Sequence, residues 1–393
     1  MKLQKSNEVW MRASVAGSLW AAFEIVVGSF LHNLHFPFTG MVMASAGVIL
    51  LTSFSVLWEM KEIFWRAGIV CALMKSISPS AVILGPMAGI MLEALLIQFF
   101  VIVFGRNILG YVAGGIAALL SLLIHKITGM LFSYGFDFVI ILENTVAFIL
   151  NSFSLQNLEP IFVLYFYAGV LIILGITSSL FGYYIGRNSG TMEIKVFSPI
   201  EVSDKKLKHY NDSKSRGIFY LPAAIMAVLT GLVCVSNYDL KFSSVLVALF
   251  IISVFLLYPE GLKPLFKTSV LINLVILVMF SVLFFDYKNS GINWSDEGFF
   301  VGIKMLFRTI FVISGFTVIS IELRNPIIRK FLNEKSALYD AVQTGFSILP
   351  SIISGLPPFK EMVSRPGNTL YSSIAGANTF INNLYGQNDA DNY

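Results

Sequence analysis

Two carboxylates sit inside long apolar runs: Glu24 in Trp20-Ala21-Ala22-Phe23-Glu24 and Glu93 in Gly89-Ile90-Met91-Leu92-Glu93-Ala94. A charge held within a bilayer costs about 2.5–3.5 kcal/mol on insertion scales, so such residues are read first as functional. The chemistry open to them is proton titration, ion ligation or contact with the polar end of a solute. The competing reading is structural, each carboxylate being paired with a nearby Lys, Arg or backbone amide. Lys75, in Leu73-Met74-Lys75-Ser76-Ile77-Ser78-Pro79-Ser80, is one of few cations expected on the outer side, and the Ser-Pro-Ser after it frees backbone groups. Together Glu24, Lys75, Glu93 and Gln98 suit the lining of a small polar pocket that opens outward.

The outer end of the first apolar run adds His32-Asn33-Leu34-His35-Phe36-Pro37-Phe38. Two histidines three apart can share a metal, but a metal site wants further ligands and none is obvious nearby. Solute contact or a plain capped turn is the expected role, and no metal is assigned. The chain's other histidines, His125 and His209, read as a span-end residue and a linker residue. There is no Ser/His/Asp order, no His-Glu-x-x-His, no Asp-rich metal motif and no Gly-x-x-x-x-Gly-Lys-Ser/Thr loop. An enzyme is therefore not expected, an intramembrane enzyme or scaffold ranks last, and no cofactor is assigned to the chain itself. Cys71 and Cys234 lie in apolar runs of different halves and read as packing residues.

The elements that must position these residues follow from composition. With 56% hydrophobic and 13% charged residues over 393 positions, and a mean hydropathy of +0.76, the chain is excluded from the soluble globular class. Apolar runs near twenty residues predict α-helical spans, because backbone in lipid must satisfy its own hydrogen bonds. Spans are expected at 9–31, 38–57, 63–78, 80–104, 108–132 and 160–185, then at 217–236, 242–258, 265–285 and 298–321. The first is read as a span and not a removed signal peptide, since no small-residue cleavage site precedes more apolar sequence. The third is short and runs into Ser78-Pro79-Ser80, so a broken or re-entrant element is expected there.

Residues 187–216 are polar and Pro/Gly/Ser-punctuated, with basic Arg187, Lys195, Lys205, Lys206, Lys208, Lys214 and Arg216 against acidic Glu193, Glu201, Asp204 and Asp212. This divides the chain into a six-span module (1–187), a cytoplasmic charged linker (188–216), a four-span module (217–323) and a C-terminal region (324–393). With both termini inside the cell, only Lys75, Lys126, Lys241 and Lys288 fall outside and Lys304 and Arg308 within a span, leaving the rest of the 27 basic residues cytoplasmic. The formal charge of +4 reflects those basic loops and gives no reason to invoke nucleic acid. Segments 326–346, 348–363 and 370–384 read as amphipathic helices on the cytoplasmic surface, followed by a polar tail from Thr379 to Tyr393. The fold class expected is all-α: a polytopic membrane protein of about ten spans with C-terminal cytoplasmic helices.

Within the first span Ala13, Gly17 and Ala21 recur every fourth residue, with Ser14, Ser18 and Ala22 one position on. Such a smooth strip admits close backbone approach, either by a helix of the same bundle or by another module. Six spans, this strip and an outward pocket resemble the substrate-binding S component of energy-coupling factor (ECF) transporters over about residues 8–187. In the second half, Arg308-Thr309-Ile310-Phe311-Val312-Ile313-Ser314-Gly315-Phe316-Thr317, followed by cytoplasmic helices, resembles the transmembrane T component. That resemblance implies coupling helices ending in an Ala-Arg-Gly-type motif that inserts into paired ATPases, and Ser364-Arg365-Pro366-Gly367 is the counterpart here. An Arg at a helix tip is a planar fork suited to a partner's carboxylate, or to a lipid phosphate. The pattern departs from the family, which carries two such motifs and a further C-terminal span.

The resemblance implies a membrane subunit of an importer for a small solute (a vitamin, a vitamin precursor or a metal ion), with ATP used by separate ECF-type ATPase subunits. Lipid and solute are its other partners, Glu24, His32, His35, Lys75, Glu93 and Gln98 its solute contacts, and Ala13, Gly17 and Ala21 its module interface. A plasma or bacterial inner membrane is the expected location. The alternative is a proton- or ion-coupled secondary transporter that uses Glu24 or Glu93 without ATPases.

Overall fold

The computed structural model describes residues 2–34, 36–75, 84–154, 159–189, 220–237, 239–323, 337–357 and 359–390. These residues are helical throughout, with no strand among them, and the protein is an all-α polytopic membrane protein. The first half comprises α1 (Lys2–Asn33), α2 (Thr39–Leu57), α3 (Ile63–Lys75), α4 (Leu84–Phe104), α5 (Ile108–Tyr134), α6 (Asp137–Ser152) and α7 (Ile161–Asn188). The second half comprises α8 (Tyr220–Asn237), α9 (Leu240–Leu257), a 3₁₀ segment (Pro259–Phe266), α10 (Thr268–Phe284), α11 (Asp296–Leu323), α12 (Ala337–Gly355), α13 (Phe359–Ser364) and α14 (Pro366–Ala390).

Among the described residues, seven helices are long and apolar enough to cross a bilayer: α1, α2, α4, α5, α7, α9 and α11. An eighth crossing needs the 3₁₀ segment and α10 taken together across a 64° bend, which sits where Pro259 and Pro264 interrupt regular helix. The remaining expected spans correspond to α8, whose apolar part is Leu221–Val235, and to the 13-residue α3. The Ser-Pro-Ser break after α3 and the charged linker from 190 onward lie outside the described residues.

Close helix approach rests on small residues. In lipid, apolar side chains gain little by leaving the solvent, so association depends on packing and interhelical hydrogen bonds. Gly182 and Gly186 of α7 lie against α2; a Cβ on Gly186 would stand 2.5 Å from the Ser53 carbonyl oxygen. Ser53 ties the pair by donating to the Gly182 carbonyl at 2.9 Å. This Gly-x-x-x-Gly face is legible in the sequence, where only the strip in α1 drew notice. In the second half, Ser281 of α10 donates to the Gly298 carbonyl of α11 at 2.7 Å, and Phe250 packs on Phe311.

Three expectations need correction. Residues 136–158 carry no expected element, yet α6 occupies Asp137–Ser152 and grips the second half: Asn144 donates to the Phe284 and Phe285 carbonyls at 2.8 and 2.9 Å, and Glu143 pairs with Lys288. The C-terminal helices are not laid on a surface; Ile348, Ile352, Leu370, Ile374, Ala377 and Ile381 are buried in one core with residues of α1, α2 and α3. The expected break between 346 and 348 is absent, the single helix α12 running through it, and α14 continues through the expected polar tail to Ala390.

Within the strip of Ala13, Gly17 and Ala21, the close approach at Gly17 is to its own bundle. All three are buried, and Gly17 abuts α3 of its own bundle: a Cβ there would stand 2.6 Å from the Ala67 carbonyl oxygen and 2.8 Å from Val70 Cβ. The neighbouring serine face carries the long-range contact. A Cβ on Gly345 of α12 would stand 2.8 Å from Ser18 Oγ and 3.1 Å from Ser14 Oγ, and Ser18 donates to the Gly345 carbonyl at 3.2 Å across 327 residues of chain.

These two contacts predict separable effects. Gly17→Val presses on a backbone carbonyl that cannot retreat and should destabilise the whole bundle by about 1–3 kcal/mol, read as lower thermal stability in detergent. Gly345→Leu should instead loosen α12 alone, so that a Ser18→Cys reporter reacts faster with a membrane-permeant maleimide while the main melting transition holds. Equal labelling rates with and without Gly345→Leu would contradict the docking.

Candidate functional site

α3 ends at Lys75, level with Glu24 of α1, because the Gly17 contact to Ala67 and Val70 fixes how the two helices register. The Lys75 ammonium donates to the Glu24 backbone carbonyl at 3.1 Å and to its carboxylate Oε2 at 3.4 Å. Both side chains are largely buried, 13% and 14% exposed. α4 closes on α3 where Ala94 fills the space beside Gly68, and this sets the adjacent Glu93 into the interior at 7% exposure. Glu93 makes no hydrogen bond or ion pair among the described residues and lies close enough to Glu24 for the two carboxylates to repel. Cys71, one turn before Lys75, is buried within reach of all three charges.

Glu24, Lys75 and Glu93 therefore form one buried polar centre between α1, α3 and α4. With both carboxylates ionised it carries one negative charge more than Lys75 neutralises, a costly state in an apolar interior. One proton, one cation or the cationic group of a solute balances it, and that is the chemistry the arrangement offers. No group of three or more His, Cys, Asp or Glu among the described residues is placed to hold a metal ion.

The other expected contacts do not join this centre. Gln98 lies more than a turn further along α4, and its amide donates to the Lys61 carbonyl in the turn before α3, at the opposite end of α3 from Lys75. Sequence proximity to Glu93 grouped it with the pocket; the helix rise carries it away from the Lys75 end. His32 is exposed in the last turn of α1, and His35 lies outside the described residues. Arg365 is exposed at the junction of α13 and α14, where its amide donates to the Glu361 carbonyl and its carbonyl accepts from Thr369.

A second polar locus lies at the end of α5. α5 stops at Gly135, whose φ of 89° suits a residue without a Cβ. Arg308 of α11 caps the end, donating Nε–H to the Phe132 carbonyl at 2.9 Å and Nη2–H to the Leu131 carbonyl at 3.0 Å. Thr309 adds a bond to the Ser133 carbonyl at 3.2 Å. A guanidinium here meets last-turn carbonyls, of which Leu131 also accepts from the Gly135 amide, and the negative end of the helix dipole. The signal was an Arg inside an apolar run, which the sequence shows; its destination was not readable. Beside it lies a cleft of about 370 Å³ lined by Tyr134, Gly135, Phe136, Asp137, Leu232, Val233, Lys304, Met305 and Arg308.

Fold and sites together define a multi-pass helical membrane protein with a buried charged centre. Comparison with family models, with curated proteins and with solved structures returns no match.

The Glu24–Lys75 pair predicts a non-additive pattern of variants. Lys75→Met alone leaves two buried carboxylates unneutralised and should cost about 3–5 kcal/mol of stability. Glu24→Leu with Lys75→Met should recover most of that loss, since a buried pair replaced by apolar groups is often neutral. A double-mutant cycle on thermal stability in detergent reads the coupling, and additive single losses would show that the pair is not coupled.

Proposed function

We propose that the protein is the membrane subunit of an ECF-type importer for a small solute, in which the first half captures solute and the second half couples capture to separate ATPases. The observation that carries this reading is the docking of α12 and α14 onto the first half. Helices from the far end of the chain reach α1 at Ser14 and Ser18, the end of α2 through Trp58 donating to Asn378 at 2.8 Å, and the end of α7 through Tyr371 donating to the Asn188 carbonyl at 2.9 Å. A movement imposed on α12 or α14 is thus delivered to three helices of the solute-capturing half. Arg365, exposed between α13 and α14, is the point at which a soluble ATPase would apply that movement.

On this reading the face along which the capture half tips is Ser14 and Ser18, with the Ala13, Gly17 and Ala21 strip serving the bundle itself. The Glu24, Lys75 and Glu93 centre is the polar part of the solute site. The protein resides in a plasma or bacterial inner membrane with both termini in the cytosol, the orientation that keeps its basic loops inside.

A second reading, a proton- or ion-coupled secondary transporter, draws on Glu93, which is buried beside Glu24 without an ion pair among the described residues. Uptake that continues without ATPases and collapses with the proton gradient would favour it.

The importer reading predicts that full-length protein co-isolates with an ECF-type ATPase pair from native membranes. Arg365→Glu should break that association and reduce uptake by about tenfold or more, the loss expected when a charge-assisted contact is reversed. Uptake and co-isolation unchanged by Arg365→Glu would rule out coupling through this residue.

A further inference from the structure

We propose that the cleft between α5 and α11 binds an anionic amphiphile, one phosphate or carboxylate group on an apolar body, with Lys304 and Arg308 as its cationic contacts. This does not rest on the importer reading.

Lys304 and Arg308 are one turn apart on the same face of α11, and both line the cleft. Arg308 commits Nε and Nη2 to α5 carbonyls. Its Nη1 is left beside Gly135, 3.0 Å from where a Cβ would stand there, so the glycine keeps that nitrogen accessible from the cleft. Lys304 is half-buried within an apolar span and makes no hydrogen bond or ion pair among the described residues. Asp137, at the start of α6, is the one carboxylate in the lining, and its field acts on Arg308. Two cations against one carboxylate leave a positive charge uncompensated where desolvation makes it costly.

The walls specify the rest of the ligand. Leu232 and Met305 are buried at 8% and 1% exposure, while Phe136 and Val233 stand at the rim, 77% and 58% exposed. In a bilayer such a rim meets acyl chains, so the site has a cationic end at the half-buried Lys304 and Arg308 and an apolar end formed by its other walls. A volume of about 370 Å³ falls within the usual range of small-ligand sites, about 300–1,000 Å³. An anion on an apolar body satisfies both ends; a bilayer lipid and a soluble phosphate ester share that headgroup chemistry.

The test uses full-length protein in dodecyl maltoside with dodecyl phosphate as the probe, read by titration calorimetry and thermal melting. Dodecyl phosphate should bind and raise the melting temperature. Lys304→Gln should weaken it by at least about tenfold, Lys304→Arg should retain it, and Asp137→Asn, by removing the opposing charge, should tighten it. Because Asp137→Asn shifts affinity in the opposite direction, the result is readable even if Lys304→Gln folds poorly. Displacement of the probe by phosphatidylglycerol in mixed micelles assigns a lipid source, displacement by glycerol 3-phosphate a soluble one, and either supports the site. No binding, or equal binding by wild type, Lys304→Gln and Asp137→Asn, overturns it.

Discussion

The backbone of α1 is approached closely from two sides, and the rest of the molecule is arranged around that constraint. On one side α3 comes near enough that only glycine fits at position 17 without displacing the Ala67 carbonyl. On the other, Gly345 brings α12 against Ser14 and Ser18. The two contacts differ in kind. The first is hard, glycine against backbone, and it registers Lys75 on Glu24. The second is soft: the nearest atom to a Cβ on Gly345 would be the mobile Cε of Met74. In lipid, where burial of apolar surface does little to hold helices together, this difference sets which contact of α1 tolerates a larger side chain and which does not.

The halves meet again at the end of α5, where the chemistry is polar. Arg308 and Thr309 donate to three successive carbonyls in the last turn of α5, Leu131, Phe132 and Ser133; Leu131 also accepts from the Gly135 amide, and the side chains supply donors where a helix end has few of its own. Asn144 on α6 repeats the device at the end of α10. Both joints satisfy helix ends with side chains from the other half. The result is an assembly in which the polar demands of one half are met by the other, while its apolar demands are met by α12 and α14.

Much of this organisation is written in the sequence, and the gaps have physical causes. Each expected span overlaps a helix among the described residues, and seven or eight of the ten are long and apolar enough to cross, because an apolar run of sufficient length has few alternatives in a bilayer. α6 escaped notice since Asp137, Glu143, Asn144 and Asn151 interrupt its apolar character and its 16 residues are too few for a span. The C-terminal helices were legible as amphipathic, but an apolar face does not say whether it meets lipid, a partner or the chain's own core. Glu24, Lys75 and Glu93 converge as their types suggested, while Gln98 departs because nearness in sequence gave no depth along the helix. Arg308 was visible as an intramembrane cation, yet its acceptors are backbone carbonyls, which no residue type announces.

The polar chemistry at the α1–α12 contact bears on whether it can move. Ser18 makes a shorter bond, 2.6 Å, to its own Ser14 carbonyl than the 3.2 Å bond it makes to Gly345. If α12 slides away, Ser18 keeps the better of its two acceptors, and the Gly345 carbonyl remains inside its own helix ladder. Separation therefore strands no buried hydrogen-bonding group at this contact, and the main cost is lost packing, including that of Ile348 and Ile352 in the core shared with α1, α2 and α3. At the α5 end the balance is reversed: the Leu131 carbonyl would keep its bond from the Gly135 amide, but withdrawing Arg308 would strip the guanidinium of both its acceptors and the Phe132 carbonyl of its side-chain donor, a cost of several kcal/mol. Of the two contacts, the Arg308 joint is the one whose polar groups make it costly to break, and the serine face of α1 is the one that parts without orphaning a hydrogen bond.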